Sequence, residues 1–418
     1  MAAADDSAVD SVAAELFEGT HASKRSVSLD PQPTGRFRRA QGGPSTEPMG
    51  GGRRQAERQE PALAPRVRVL IGRRLRTRAS LVRPVLLACL VLAVAACGGT
   101  GSSEKSGAAA SHERALADGL ALLPDEPELR QHVLVSDLER LRRAYPSLQK
   151  RGSALAGVWL PDALVGADRA LWRDSFGLSL DDVSSFASAG FHPATLTVAE
   201  GAFSPARIRG ALRRFGYQTT GRTLTRGADG SVDASTRAGQ LSLSALNRVI
   251  ASRTLVTAAS TSELLGEAES RPTLAADGDY AAAADALDPI TSAIVLDASL
   301  VQPPGGVPTP ILTAFPARLV AAGIDDLGPS SRTVKIALVY ESADQARADA
   351  ALIERDLPST PLPGAQSMTF SDLASSWSAR AEGRAVVVTA SLQAGSDPGT
   401  WRSLVDRGDL AVLVRPPG

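Results

Sequence analysis

The side chains with the most chemistry to offer in this 418-residue sequence are four histidines, two cysteines, four tryptophans and, beyond residue 97, two Asp-Asp pairs. His112-Glu113 opens like the helical zinc-protease motif, in which two histidines one turn apart flank a glutamate. Leu116 stands where the second histidine belongs, so the facing imidazoles that would hold zinc are missing. His132 opens a predicted strand and His192 precedes Pro193, so both read as local structural residues. There is no Gly-x-Ser-x-Gly run to form a nucleophile elbow, and no glycine-rich phosphate loop ending in Gly-Lys-Ser/Thr. Asp181-Asp182 and Asp325-Asp326 are carboxylate pairs, but neither belongs to the spaced ligand series of a calcium loop. Asp181-Asp182 falls in the first turn of a predicted helix, where negative charge favours the helix dipole. Arg140, Arg142 and Arg143 share the polar side of another predicted helix and could grip an anion, although a solvated helix face needs the same residues. Trp159, Trp172, Trp377 and Trp401 are scattered and read as packing residues rather than as a sugar platform. These readings predict no catalytic, metal-binding or cofactor-binding residue.

Cysteine is the exception. Cys89 lies within an uncharged apolar run of 13 residues, 84–96, and Cys97 follows it. The run is preceded by Arg73, Arg74, Arg76, Arg78 and Arg83. A membrane-spanning helix needs about 20 apolar residues, so a run of this length behind a basic stretch suits a cleaved export signal. It ends Val94-Ala95-Ala96-Cys97-Gly98-Gly99. This resembles the lipobox of bacterial lipoproteins: a branched apolar residue, two small residues, then the acceptor cysteine. The resemblance covers about 27 residues and implies a targeting class, not a family for the rest of the chain. It implies that Val94, Ala95 and Ala96 are recognised by the signal peptidase and that Cys97 is lipidated. Cys97 would then be the only cysteine of the mature chain, leaving no disulfide and no cysteine zinc site.

Charge divides at the same place. Residues 1–96 hold 15 Lys+Arg against 9 Asp+Glu, and residues 97–418 hold 30 against 36. An acidic mature chain argues against general nucleic-acid binding, which depends on cations that neutralise phosphates. The expected partners are the membrane, through the lipid on Cys97, and an envelope protein or small ligand.

The positioning elements read as follows. Residues 1–65 are rich in Gly, Pro, Arg and Gln without periodicity; they read as disordered, or as an extension ahead of a true start at Met49 or Val69. Residues 66–96 form the signal peptide. Residues 97–111 form the lipidated cysteine and a Gly/Ser-rich tether with a reach of roughly 20 Å. Residues 112–190 read as mainly helical, with a strand at 132–135 and helical patterns over 162–175 and 180–188. Ser136-Asp137 can cap a helix carrying Leu138, Leu141 and Tyr145.

Two α+β units follow, 191–301 and 311–418, joined by the Pro/Gly-rich linker 302–310. Strand 194–200 leads into a helix capped by Ser204-Pro205, and strand 333–340 into one capped by Ser342. Strand 253–260 resembles strand 384–391, the latter paired with its predecessor across Glu382-Gly383. Ser260-Thr-Ser-Glu263 fits a capping box and Asp397-Pro398 opens the matching helix. Strands at 292–297 and 409–414 close the units. Loops are expected at 221–240 and 268–278. The predicted fold is α+β, a tandem duplication of ferredoxin-like (split βαβ) units after the helical segment.

The predicted function is a membrane-anchored extracytoplasmic lipoprotein, exported to the outer face of the cell membrane and acting as a non-catalytic binding or scaffolding module. A solute-binding lipoprotein of a transporter is the alternative, and an extracytoplasmic hydrolase a third.

Overall fold

The computed structural model describes residues 113–147, 152, 154–266, 272–303 and 309–415. Cys97, the expected lipobox, signal peptide and tether, and His112 lie outside the described residues.

Helix α1 (Ala115–Leu120) leads into strand β1 (His132–Asp137). Asp137 then caps α2 (Leu138–Ala144), its carboxylate accepting from Arg140 N at 2.8 Å. That cap was legible because an Asp ahead of an apolar periodic run satisfies an orphan helix N–H. The segment 112–190 is less helical than predicted. The pattern over 162–175 yields only α3 (Ala170–Phe176), and that over 180–188 yields one 3-10 turn and then β2 (Val183–Ala189). In β2 the last four residues are all buried, so the two-residue alternation that marks a half-exposed strand is erased.

β2 turns into β3 (Leu196–Gly201), so the boundary expected at 190/191 falls inside a hairpin. Ser204 caps α4 (Pro205–Arg214), accepting from Arg207 N at 3.3 Å with Pro205 in the first turn. The expected loop 221–240 contains the end of a small hairpin, β4 (Gln218–Thr220) and β5 (Thr223–Thr225), and the start of α5 (Arg237–Ser242). β6 (Arg248–Ala251) and β7 (Leu255–Ala259) follow, then α6 (Ser262–Gly266). In place of the expected capping box, Thr261 Oγ1 accepts from Leu264 N at 3.3 Å. Ser260 Oγ is instead held by Thr195 N at 2.9 Å.

The remainder comprises α7 (Gly278–Leu287), β8 (Ser292–Asp297), β9 (Leu319–Asp326), β10 (Arg332–Val339) and α8 (Ala343–Asp356), the last capped by Ser342. A small hairpin, β11 (Pro361–Leu362) and β12 (Ala365–Thr369), precedes β13 (Ala374–Glu382), β14 (Ala385–Leu392) and α9 (Thr400–Asp406). The expected strand 409–414 is a 3-10 helix, Asp409–Leu413. Its apolar residues are buried all round, and a short buried run carries no period to separate strand from helix.

Twelve strands make one antiparallel sheet in the order β13-β14-β10-β9-β8-β1-β2-β3-β7-β6-β5-β4. β8 pairs with β1 and β9, not with β3 as a split βαβ unit ending at 297 would require. Both predicted units therefore share a single sheet. Each face has its own core. One packs Leu134, Phe186, Ile294 and Ile336 against α2, α3, α4, α8 and α9. The other packs Val133, Val135, Val295 and Val339 against α1, α6 and α7.

Candidate functional site

The fold brings together several residues that the sequence offered separately. Asp325 receives Arg140 Nε at 2.9 Å and Nη2 at 3.1 Å, a two-pronged pair. Its neighbour Asp326 is buried with Arg332 and Tyr145. The Tyr145 hydroxyl donates to Asp326 at 2.6 Å, and Arg332 reaches Asp326 at 3.2 Å and Tyr145 at 2.9 Å. The pair that could have held calcium thus binds arginines. Arg142 donates to Val183 O at 2.6 Å and to Glu139, and Arg143 lies 4.0 Å from Asp137. Asp182 closes a capping box with Ser179 and pairs with Arg207 at 2.5 Å, while Asp181 lies 4.0 Å from Arg173.

Trp159 and Trp401 meet edge-on at 6.2 Å, with Arg402 over the Trp159 ring at 5.2 Å. Trp172 packs on Phe176 and Trp377 on Phe370. His132 packs against Phe191 with ring centroids 4.6 Å apart and planes tilted by 34°, and burial pushes its imidazole down to about 4, so it is neutral at pH 7. His192 Nδ1 lies 2.8 Å from Ser244 Oγ, a contact no linear motif signalled. Ser244 is buried, and this bond fastens the β2–β3 turn to the loop after α5. Among the described residues no group of three His, Cys, Asp or Glu is placed to hold a metal ion.

Two concavities flank the central pair β1·β8, at opposite ends. The first, about 180 Å³, lies where β1 finishes and is lined by Ala115, Asp118, Ser136, Asp137, Glu139, Ser185 and Glu200. The described body begins at this end, because α1 starts at Ala115. Nearby, Asp288 caps α1, accepting from Leu116 N at 2.9 Å and Ala117 N at 3.2 Å. Burial outweighs those bonds and raises the carboxyl to about 6. Lys335 donates to the carbonyls of Leu287 at 2.7 Å and Asp288 at 3.2 Å, and burial lowers its amine.

The second concavity, about 340 Å³, is the candidate site. It lies where β8 ends and β9 starts, two residues before β1 begins. Arg130 grips Asp125 with Nε at 2.6 Å and Nη2 at 2.7 Å, and reaches Asp277 with Nη1 at 2.9 Å. Asp277 caps α7, accepting from Asp279 N at 2.8 Å. Tyr280 donates its hydroxyl to Arg130 O, and burial raises that phenol. Asp279 pairs with Arg384 and, at 3.5 Å, with Arg318. Asp297 accepts from Ser299 N at 2.8 Å and Ser299 Oγ at 2.6 Å. Arg415 donates Nε to Thr313 O at 2.9 Å. The lining thus comes from residue 130, from 277–299 and from 316–319 with 415, joining both predicted units and the segment before them. Sequence reading missed it because its arginines and aspartates are strangers along the chain.

No protein-family model matches the chain, and no curated protein matches it. A solved structure described as "Structure of crystal form I of TP0453" is similar at 8% identity and a TM-score of 0.36, covering 69% of this chain and 98% of that one. So low a score carries no argument about fold or function.

Proposed function

We propose that the protein is an exported lipoprotein, held on the outer face of the cell membrane by a lipid on Cys97, whose folded body is a non-catalytic binding module. The order of basic stretch, short apolar run, small residues and cysteine supports the anchor. The observation that carries the binding role is the cleft at the β8–β9 end, concave and with charged groups from distant parts of the chain in its lining. It lies at the end of β1 opposite to α1's start. A solute-binding role for a transporter draws on the same cleft.

The finer architecture belongs to this proposal. We read the body as two tandem copies, with boundaries shifted from the predicted ones. Each copy runs helix, strand, helical turn, two strands, helix, small hairpin and two strands. Val133-Leu-Val-Ser-Asp137 aligns with Ala293-Ile-Val-Leu-Asp297, and each Asp caps the turn that follows. Leu134 sits opposite Ile294, its own counterpart, so a two-fold axis through that pair relates the copies.

The test is Cys97→Ser in the intact gene. Wild type is expected in the membrane fraction with an acylated N-terminal cysteine by mass spectrometry, and the variant is expected unacylated and uncleaved or released. A variant that stays processed and membrane-bound like wild type would refute the anchor.

A further inference from the structure

We infer that the cleft at the β8–β9 end binds a soluble ligand through an oxyanion, a carboxylate or a phosphate group, held between Arg318 and Arg415. The inference rests on the binding-module reading and names the ligand class of the same site. It follows from which hydrogen-bonding capacity the cleft has left. Its carboxylates already have donors: Asp277 takes a helix N–H and Arg130, Asp279 takes Arg384 and Arg318, and Asp297 takes two bonds from Ser299. Arg130 has committed Nε, Nη1 and Nη2 to Asp125 and Asp277.

Arg318 and Arg415 differ. Arg318 is 53% exposed and makes a single long contact, Nη1 to Asp279 at 3.5 Å, which leaves Nε and Nη2 open. Arg415 uses Nε on a carbonyl and leaves both terminal nitrogens open. Both line the same cavity. The open donors of these two arginines come in the planar fork that matches carboxylate and phosphate oxygens. Asp279 is shared between Arg384 and Arg318, so that trio carries one positive charge in excess, within a lining whose three arginines and three aspartates balance. Pro316, Ala317 and Leu319, which flank Arg318 in sequence, add apolar lining beside it.

The experiment uses the mature lipoprotein reconstituted in neutral phosphatidylcholine vesicles, titrated calorimetrically with inorganic phosphate and with succinate at fixed ionic strength. At least one anion is expected to bind, and the Arg318→Gln/Arg415→Gln double variant to bind it at least tenfold more weakly. Arg173→Gln, an exposed arginine elsewhere, is expected to bind like wild type. Both arginines are exposed, and an unchanged thermal midpoint without ligand checks that the double variant is folded. Absence of binding by both anions, or equal binding by the double variant, would overturn the inference. A phosphatidylglycerol arm separates the sources: binding of the free anion that disappears in those vesicles would assign the cleft to a lipid headgroup and overturn the soluble-ligand form. Acylation of Cys97, read independently by mass, distinguishes failure here from failure of the anchor reading.

Discussion

Asp326, Arg332 and Tyr145 form a charged cluster with almost no access to water, tying the loop after α2 to the hairpin between β9 and β10. Removing one charge strands the other, and breaking a buried pair costs about 3–5 kcal/mol. Asp326→Ala is therefore expected to lower the denaturant midpoint by that order. Adding Arg332→Met is expected to restore part of it, because the unpaired guanidinium is gone. His132 sets a pH dependence of definite sign. The unfolded imidazole takes up a proton near 6.5 and the folded one only near 4. Stability is therefore lost as pH falls from 6.5 towards 4, by about 3 kcal/mol at most. Asp288 runs the other way: its folded carboxyl, raised to about 6, holds a proton that the unfolded one releases near 4, so it favours the fold as pH falls through 6. His132→Phe should abolish the first slope alone, measurable as the difference in unfolding free energy between pH 7 and 5.

At the scale of elements, the vulnerable piece is β13, a nine-residue strand at the edge of the sheet. Open edges template pairing with other chains. Here Glu354 of α8 reaches over and accepts the N–H of Ala379, and Arg380 and Glu382 set charges beside it. Glu354→Ala is expected to free that N–H and promote association through β13. The check is light scattering across a concentration series, with scattering unchanged from wild type as the contrary result. Caps were the most legible part of the fold: Asp137, Ser204 and Ser342 act where they were expected, because a cap is decided within four residues. β2 and the turn at 409–413 were misread because burial on every side removes the periodicity that separates strand from helix.

For the whole molecule, the continuous sheet is the governing fact. The central pair β1·β8 joins the halves through backbone bonds and through Ser136 Oγ to Ser292 Oγ at 2.7 Å, and both cores run across the seam. Two units folding independently would melt in two steps. Continuous cores instead lead us to expect one calorimetric transition whose van't Hoff and calorimetric enthalpies agree, and two resolved transitions would contradict this.

The sequence by itself determined what is local: the arrangement at Cys97 that resembles a lipobox, the helix caps and most strands. Those depend on neighbours a few residues apart. The tertiary structure decided the rest. It set β8 against β1, so that two predicted units became one sheet. It gave Arg140 to Asp325 and Arg332 to Asp326, so two adjacent carboxylates serve separate ion pairs. It also assembled the cleft from Arg130, Asp277, Asp279, Asp297, Arg318 and Arg415. Such sites depend on which chain ends a sheet brings side by side, and strand order is set by long-range pairing that no short window of residues contains.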